Sequence, residues 1–376
     1  MKVLLDATAI PADLGGVGRY VDDLVPELIV AGVDLALAVQ RRDVDHLRTR
    51  VPTAHLFPVP AVFERRSARL AWEQTGLPEL IGRIRPDVLH SPHYTYPELH
   101  QVPVAVTLHD ATFFTHPQAH TRLKRVFFSR AIRRAVGGAD VLIVPSRATQ
   151  DETLRFVDGD PAKFHVAYHG VDTSRFHAVD DAERARVAAS LGLARERYIG
   201  FLGTLEPRKN VPNLIRGWVR EFCGDPNPPV LVLAGGAGWD DGIEPALAEV
   251  PERMRVLRPG YLPLEDLPGF LSGAEVLAYP SIAEGFGLPV LEAMACGAAV
   301  LTTPETSLPE VGGGAVAYCG TDSDSIGRAL ASLMARPERR AELGRLAIAR
   351  AAEFTWAGSA RAHVAAYEAA VRRERY

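Results

Sequence analysis

Pro280-Ser281-Ile282-Ala283-Glu284-Gly285-Phe286-Gly287-Leu288-Pro289-Val290-Leu291-Glu292-Ala293-Met294-Ala295-Cys296-Gly297 lies between two short apolar runs, 276–279 and 300–302. Such runs read as buried strands, and the apolar positions after Pro289 read as a helix. Pro289 suits the first helical position, where a missing N–H costs little. The amides of Gly287, Leu288 and Val290 are then free to face a phosphate or a sugar hydroxyl. Glu284 lies in the loop and Glu292 one helical turn inside. Two carboxylates eight residues apart, flanking an anion pocket, can each accept hydrogen bonds from sugar hydroxyls. The alternative is two surface glutamates beside a buried glycine-rich turn.

Strand, turn and helix form the repeating unit of a parallel α/β sheet, and the same rhythm runs along the whole chain. In the second half, strands are expected over 198–202, 230–233, 253–257, 276–279, 300–302 and 315–318. In the first half they are expected over 2–5, 35–39, 87–90, 104–108 and 141–144, with a helix over 18–31 after the first. The polar stretch 171–178 and the charged stretch 180–186 put a boundary near residue 178. This predicts an N-terminal domain over 1–178, a second over 179–356, and an Ala-rich closing helix over 357–376. In doubly wound sheets, ligands bind outside the carboxyl ends of the strands.

Two more strand-end loops carry chemistry. Leu14-Gly15-Gly16-Val17-Gly18-Arg19-Tyr20 follows the first strand, and its glycines let the backbone approach an anion. The loop does not match G-x-G-x-x-G, and Gln40-Arg41-Arg42 supplies no ribose-binding acid, so a nicotinamide-dependent dehydrogenase is the least favoured class. Gly203-Thr204-Leu205-Glu206-Pro207-Arg208-Lys209-Asn210 follows the first strand of the second half. Adjacent Arg208 and Lys209 are well placed to neutralise a diphosphate, against the alternative of a solvated charged loop.

Lys+Arg 42 against Asp+Glu 46 gives a net charge of −4, which argues against bulk nucleic-acid binding. The charge is uneven. Between residues 111 and 139 stand Arg122, Lys124, Arg125, Arg130, Arg133 and Arg134 with no acidic residue, interleaved with Leu123, Val126, Phe127, Phe128 and Ile132. A basic amphipathic helix of this kind fits an anionic membrane surface or an anionic substrate. Alternatively, its apolar stripe packs on the sheet and its arginines face water. The three cysteines show no zinc or redox spacing and suit a reducing compartment. Met1-Lys2-Val3-Leu4-Leu5 meets Asp6 at once, so no apolar signal core is expected, and no apolar run is long enough to cross a bilayer. The expected location is cytoplasmic, with peripheral attachment at the inner face of the plasma membrane.

The string Glu284-Gly-Phe-Gly-Leu-Pro-Val-Leu-Glu292-Ala-Met-Ala-Cys-Gly resembles the signature of retaining glycosyltransferases of family 4, which have the GT-B fold. Gly15-Gly16-Val17-Gly18 is similar to that family's N-terminal glycine loop, His109-Asp110 to its mid-domain histidine, and Ser146-Arg147 to the element after the next strand. His169-Gly170-Val171-Asp172 resembles the motif entering the interdomain linker. Glu206-Pro207-Arg208-Lys209-Asn210 resembles the phosphate-binding element, and Phe354-Thr355-Trp356 the segment before the last helix. The resemblance covers nearly the whole chain. It implies two Rossmann-like doubly wound domains facing each other across a cleft, with the closing helix crossing back to the first.

The resemblance also implies roles. Arg208 and Lys209 bind the donor diphosphate, with the backbone of Gly15 and Gly16 and with Ser146 contributing from the first domain. Glu284 binds hydroxyls of the transferred sugar, and Glu292 those of the nucleotide ribose. The amides of Phe286, Gly287 and Leu288 touch sugar and phosphate. The loop Arg258-Pro259-Gly260-Tyr261-Leu262 holds the base, and His109 lies beneath the sugar. Relatives often carry an arginine where this chain has Gly203-Thr204, so phosphate neutralisation rests on Arg208 and Lys209. His93, Tyr94, Asp110, Arg122 and Arg125 are candidates for the acceptor side.

The implied reaction is same-face transfer of a hexosyl group to a saccharide or lipid-linked acceptor, with the leaving phosphate accepting the acceptor's proton. The overall pattern is similar to bacterial mannosyltransferases of surface-polysaccharide assembly, which favours GDP-mannose as co-substrate. A UDP-hexose donor, or a disaccharide synthase or phosphorylase of the same fold, is the alternative. A catalytically silent nucleotide-sugar-binding protein is the non-enzymatic one. Asp43, Asp45, Asp322 and Asp324 have D-x-D spacing but fall where they cap or solvate, so no metal or other cofactor is expected.

Overall fold

The computed structural model describes residues 1–10, 15–193 and 196–374, so Leu14 of the glycine turn lies outside the described residues. Contacts divide the chain into two units, Met1–Gly170 with Thr355–Tyr376, and Val171–Phe354.

The first unit holds a seven-stranded sheet. Its strands are β1 (Lys2–Asp6), β2 (Asp34–Gln40), β3 (His55–Val59), β4 (Val88–Ser91), β5 (Val104–Thr107), β6 (Val141–Val144) and β7 (Phe164–Val166). They lie in the order β3-β2-β1-β4-β5-β6-β7, and all pairs are parallel. β4, β5 and β6 are buried at every position, as expected when helices cover both faces of a parallel sheet. The edge strands β3 and β7 carry no expectation from sequence. β3 contains Pro58 and a half-exposed pattern, and β7 has three residues; both are tolerable only at an edge.

The second unit has β8 (Tyr198–Leu202), β9 (Val230–Ala234), β10 (Val256–Gly260), β11 (Val276–Tyr279), β12 (Val300–Thr302) and β13 (Ala317–Tyr318). Their order is β10-β9-β8-β11-β12-β13, again parallel throughout. One strand is displaced from its expected place: 253–257 becomes Val256–Gly260. Met254 turns inward ahead of the strand, and Pro259 fits because β10 is an edge with an irregular register.

The units divide at Gly170, ahead of the charged segment that marks a boundary in sequence. Val171 N–H donates to the Phe354 carbonyl (3.1 Å) and Val179 N–H to Ser272 Oγ (3.4 Å), so this stretch packs into the second unit. Gly170 is required by a close approach: a Cβ there would stand 2.1 Å from the Trp356 backbone nitrogen. The closing helix, Trp356–Glu374, packs on β4, β5, β6 and β7 and on the Gly16–Val30 helix of the first unit.

Candidate active site

In the second unit the strand order reverses between β8 and β11, and the loops 203–210 and 280–287 leave their carboxyl ends there. Hydrogen bonds hold the second loop to its surroundings. Glu284 N–H donates to Thr306 Oγ1 (2.9 Å), Ser307 Oγ–H to the Glu284 carbonyl (3.0 Å), and Ile282 N–H to the Arg208 carbonyl (2.8 Å). Gly287 has φ +99°, and a Cβ there would meet Leu308 Cδ2 at 2.9 Å, so only glycine turns the loop into the Leu288–Ala295 helix without strain.

These loops bring Arg208, Lys209 and Glu284 together. Arg208 donates to Glu284 Oε2 (2.6 Å), to the Ala283 carbonyl (3.0 Å) and to Glu206 (2.8 Å). Lys209 Nζ donates to Glu284 Oε1 (2.5 Å) and also contacts the Tyr279 hydroxyl. Tyr279 (3.0 Å) and Ser281 (2.7 Å) donate to the same carboxylate oxygen. Burial pushes the Glu284 carboxyl up, but Arg208 and Lys209 outweigh it and hold it at about 2. Burial and the neighbouring Arg208 draw the Lys209 ammonium below its usual value, against the opposing pull of Glu284. Glu206, Tyr279, Ser281 and Thr306 escaped the sequence reading as site groups. Glu206 and Ser281 stand inside the quoted strings, whereas Tyr279 looks like any strand residue.

The helix start differs from expectation in one respect. Val290 N–H is taken by the Gly287 carbonyl (3.0 Å), so it is not available to a ligand. Leu288 N–H heads the helix with no carbonyl one turn behind it. Glu292 lies inside the same helix and is buried. Arg258 to Gly260 belong to strand β10 rather than to a loop, and Arg258 pairs with Glu244 (2.6 Å). Tyr261 and Leu262 follow that strand, and Tyr261 is exposed.

In the first unit the order reverses between β1 and β4. Gly15 caps the Gly16–Val30 helix, and open space lies beside Gly15 and Gly16 where Cβ atoms would stand. After β4, Tyr94 adopts φ +58°, an uncommon backbone for a bulky residue. It is fixed there by Tyr94 N–H to the Thr107 carbonyl (3.1 Å) and Asp110 N–H to the Tyr94 hydroxyl oxygen (3.1 Å). His93 lies against Tyr94 and, at 6.0 Å between ring centres, near His109.

His109 Nε2 is 2.6 Å from the Pro92 carbonyl. A carbonyl only accepts, so the ring proton is on Nε2 and Nδ1 carries the lone pair. Burial lowers its pKa, opposed by the Pro92 bond and by Asp110. Asp110 Oδ1 accepts from the Thr112 amide (3.0 Å) and hydroxyl (2.7 Å). Ser146 is buried, and its Oγ accepts from Thr149 N–H (3.0 Å), capping the Arg147–Phe156 helix.

The basic window forms the helix Arg122–Gly138. Ile132, Ala135 and Val136 are buried, whereas Leu123 and Val126 are 81% and 57% exposed beside exposed Arg122 and Arg125. A cavity of about 540 Å3 opens on this helix, lined by Phe113, Phe114 and Val126 with Arg125, Arg130 and Arg133.

Of the D-x-D pairs, Asp322 caps the Ser323–Met334 helix by accepting from Ser325 N–H (2.8 Å), and Asp324 pairs with Arg220. Among the described residues no group of three His, Cys, Asp or Glu side chains is arranged to hold a metal ion. Among the described residues no helix is long and apolar enough to cross a membrane.

Residues 14–175 match glycosyltransferase family 4, and residues 184–350 match glycosyl transferases group 1. The chain is 28% identical to the O-antigen chain mannosyltransferase B of Escherichia coli over 98% of this chain and 100% of that protein. It is 31% identical to the D-inositol 3-phosphate glycosyltransferase of Corynebacterium jeikeium (strain K411) over 72% of this chain and 68% of that one. Among solved structures, Anabaena HepE in complex with UDP-glucose superposes with a TM-score of 0.76 at 17% identity, covering 96% of this chain and 97% of that one. That likeness carries the fold, the GT-B fold of two Rossmann-like halves.

Proposed function

The chain belongs to the family 4 glycosyltransferases of GT-B fold, and we propose that it is a retaining enzyme moving a hexosyl group from a nucleotide sugar to a hydroxyl of a saccharide or lipid-linked acceptor. The observation that carries this reading is the pairing of buried Lys209 and Glu284 with half-buried Arg208 beside the head of the Leu288–Ala295 helix.

Cleaving the bond from sugar C1 to the phosphate oxygen develops negative charge on the diphosphate and positive charge on the sugar. Arg208, Lys209 and the helix-end amides of Phe286, Gly287 and Leu288 stabilise the former. The ammonium of Lys209 has a third N–H beyond its bonds to Glu284 and Tyr279. Glu284, held ionised, accepts from hydroxyls of the transferred sugar; Glu292 does so for the ribose, and Tyr261 and Leu262 border the base. As the acceptor oxygen bonds C1 on the departing face, its proton passes to the leaving phosphate oxygen. His109 stands beside the sugar, and Gly15 and Gly16 offer backbone to the diphosphate. Ser146 contributes through the helix start that it caps. No step in this scheme calls on a metal.

A UDP-hexose donor is the first reading, in keeping with the UDP-glucose bound to HepE. A mannosyl donor is the second reading, supported by the full-length match to a mannosyltransferase. Thermal shift with UDP, GDP and their sugars, followed by slow donor hydrolysis, tests both. Stabilisation by UDP alone supports the first, and by GDP alone the second. Stabilisation without hydrolysis or transfer favours a silent binding protein, and indifference to every nucleotide sinks the reading. Turnover of His109→Ala at the wild-type rate removes His109 from the site.

His93, Tyr94 and Asp110 line the acceptor side, and Arg122 and Arg125 meet anionic groups on the acceptor or on a membrane. The exposed Leu123 and Val126 beside these arginines support peripheral attachment at the cytoplasmic face of an anionic membrane. Flotation with anionic liposomes at low salt checks this, and absence of binding sinks it.

A further inference from the structure

Beneath the candidate acceptor loops the first unit buries a line of polar side chains that the proposed chemistry does not use. Tyr20, His90, Thr107, His363 and Tyr367 are each at most 1% exposed. They come from the Gly16–Val30 helix, β4, β5 and the closing helix. Ser359, His363 and Tyr367 recur every four residues, which puts them on one face of that closing helix.

The proton positions follow step by step. His363 Nδ1 is 2.7 Å from the Ser359 carbonyl, which can only accept, so Nδ1 carries the proton. Burial drops the His363 pKa to about 4, so at neutral pH its Nε2 is an acceptor. The Tyr20 hydroxyl, 2.7 Å away, donates to it. Tyr20 has then spent its proton, so Thr107 Oγ1 donates to it across 3.1 Å. Thr107 in turn accepts from His90 Nε2 (2.8 Å), and His90 Nδ1 accepts from Tyr367 (2.8 Å). Five side chains thus make one chain of hydrogen bonds with a single direction, and each link presupposes the next.

This line passes beside the candidate site. The Tyr20 ring stands edge-on to His109 at 5.1 Å and 82°, and also packs on His169 at 5.0 Å. Tyr20 is one turn inside the helix headed by Gly15 and Gly16. One residue therefore bears on two of the elements that the first unit is proposed to bring to the donor.

We propose that Tyr20, held directly by His363 of the closing helix and through Thr107 and His90 by Tyr367, is a positioning residue for glycosyl transfer: it fixes the His109 ring and the glycine-headed helix in working geometry. The inference rests on the reading of His109 as the group beside the transferred sugar. Tyr20 itself touches no substrate. Its effect is on alignment, and misalignment lowers turnover more than ground-state binding.

The test is steady-state kinetics, with slow donor hydrolysis as the assay if no acceptor is at hand. Tyr20→Phe and His363→Leu are each expected to lower kcat about tenfold while donor KM stays within about twofold. The double variant falls no further than either single one, because both break one chain. His363→Gln, whose amide oxygen can accept from Tyr20, recovers most of the loss. Thr107→Val cuts the chain in the middle with little change of shape and gives the same signature if the Tyr20 variant folds poorly. Wild-type kcat in folded Tyr20→Phe overturns the proposal. So do additive losses in the double variant, or losses in which kcat and KM follow the melting temperature. His109→Ala separates the two failures. Full turnover there removes the reading of His109, whereas an inactive His109→Ala beside a fully active Tyr20→Phe removes only the role of Tyr20.

Discussion

The two units share a strand topology, but they bury polar clusters of different kinds. Around β4 and β5 the first unit buries a neutral network whose members are fully enclosed and whose protons point one way. Between β8 and β11 the second unit gathers charge: Glu284 between Arg208 and Lys209, with Glu206 beside them. A neutral directional network holds geometry, because each hydrogen bond is satisfied in one arrangement only. In the proposed function the cations of the charged cluster turn from the carboxylate to a phosphate. Under the proposed function, the neutral network serves alignment and the charged cluster stabilises charge.

The largest test of that contrast is Arg208→Ala. If the second unit works by charge, turnover falls on the order of 10²–10³-fold, or about 2.7–4 kcal/mol. A loss under tenfold in steady-state kinetics would place the charge stabilisation elsewhere.

Acid should separate the two regions next. Buried His363 has its pKa lowered from 6.5 to about 4, and His90, His109 and His169 are also lowered. The unfolded chain then binds more protons than the folded one, so stability falls as pH drops from 6.5 through about 4. Glu284 is lowered from 4.5 to about 2, so its contribution is present above 4.5 and lost as pH falls towards 2. Melting temperatures measured against pH should show both windows. His363→Gln should flatten the upper window and Glu284→Gln the lower. One shared window altered equally by both variants breaks the comparison.

Removing the Tyr279 hydroxyl probes the charged cluster more gently. Tyr279→Phe leaves Glu284 with Lys209, Arg208 and Ser281, so chemical denaturation should show a loss of about 1–3 kcal/mol. A larger loss would mean that Tyr279 orders the cluster rather than completing it.

The smallest effect belongs to the basic helix. Arg125→Ala should weaken binding to anionic vesicles by about 1 kcal/mol and leave stability unchanged, because its side chain is exposed. Equal binding by both proteins would assign the basic face to the acceptor alone.

Much of the fold was legible in the residues. Wherever a strand is buried on both faces, as in β4, β6, β8 and β11, its apolar run announces it; the edge strands β3, β7 and β10 were missed or displaced because they are partly exposed. The charged site was legible for a related reason. Arg208 and Lys209 are adjacent, and Glu284 and Glu292 bracket one glycine turn, so local strings carry most of its chemistry. What the strings did not reveal is that Glu284 lies between the two cations, a contact made across 75 residues or more.

The sequence by itself determined two parallel α/β halves and the residues of one charged cluster, because periodicity, turns and adjacent charges act over a few residues. Only the tertiary structure decided the neutral network. Tyr20 meets His363 across 343 residues and Tyr367 meets His90 across 277, because the closing helix returns to the first unit. Each of those side chains, taken alone, is an ordinary core tyrosine, threonine or histidine. Burial removes water from all of them at once, so each must find its partner among the others, and that requirement exists only once the chain is folded.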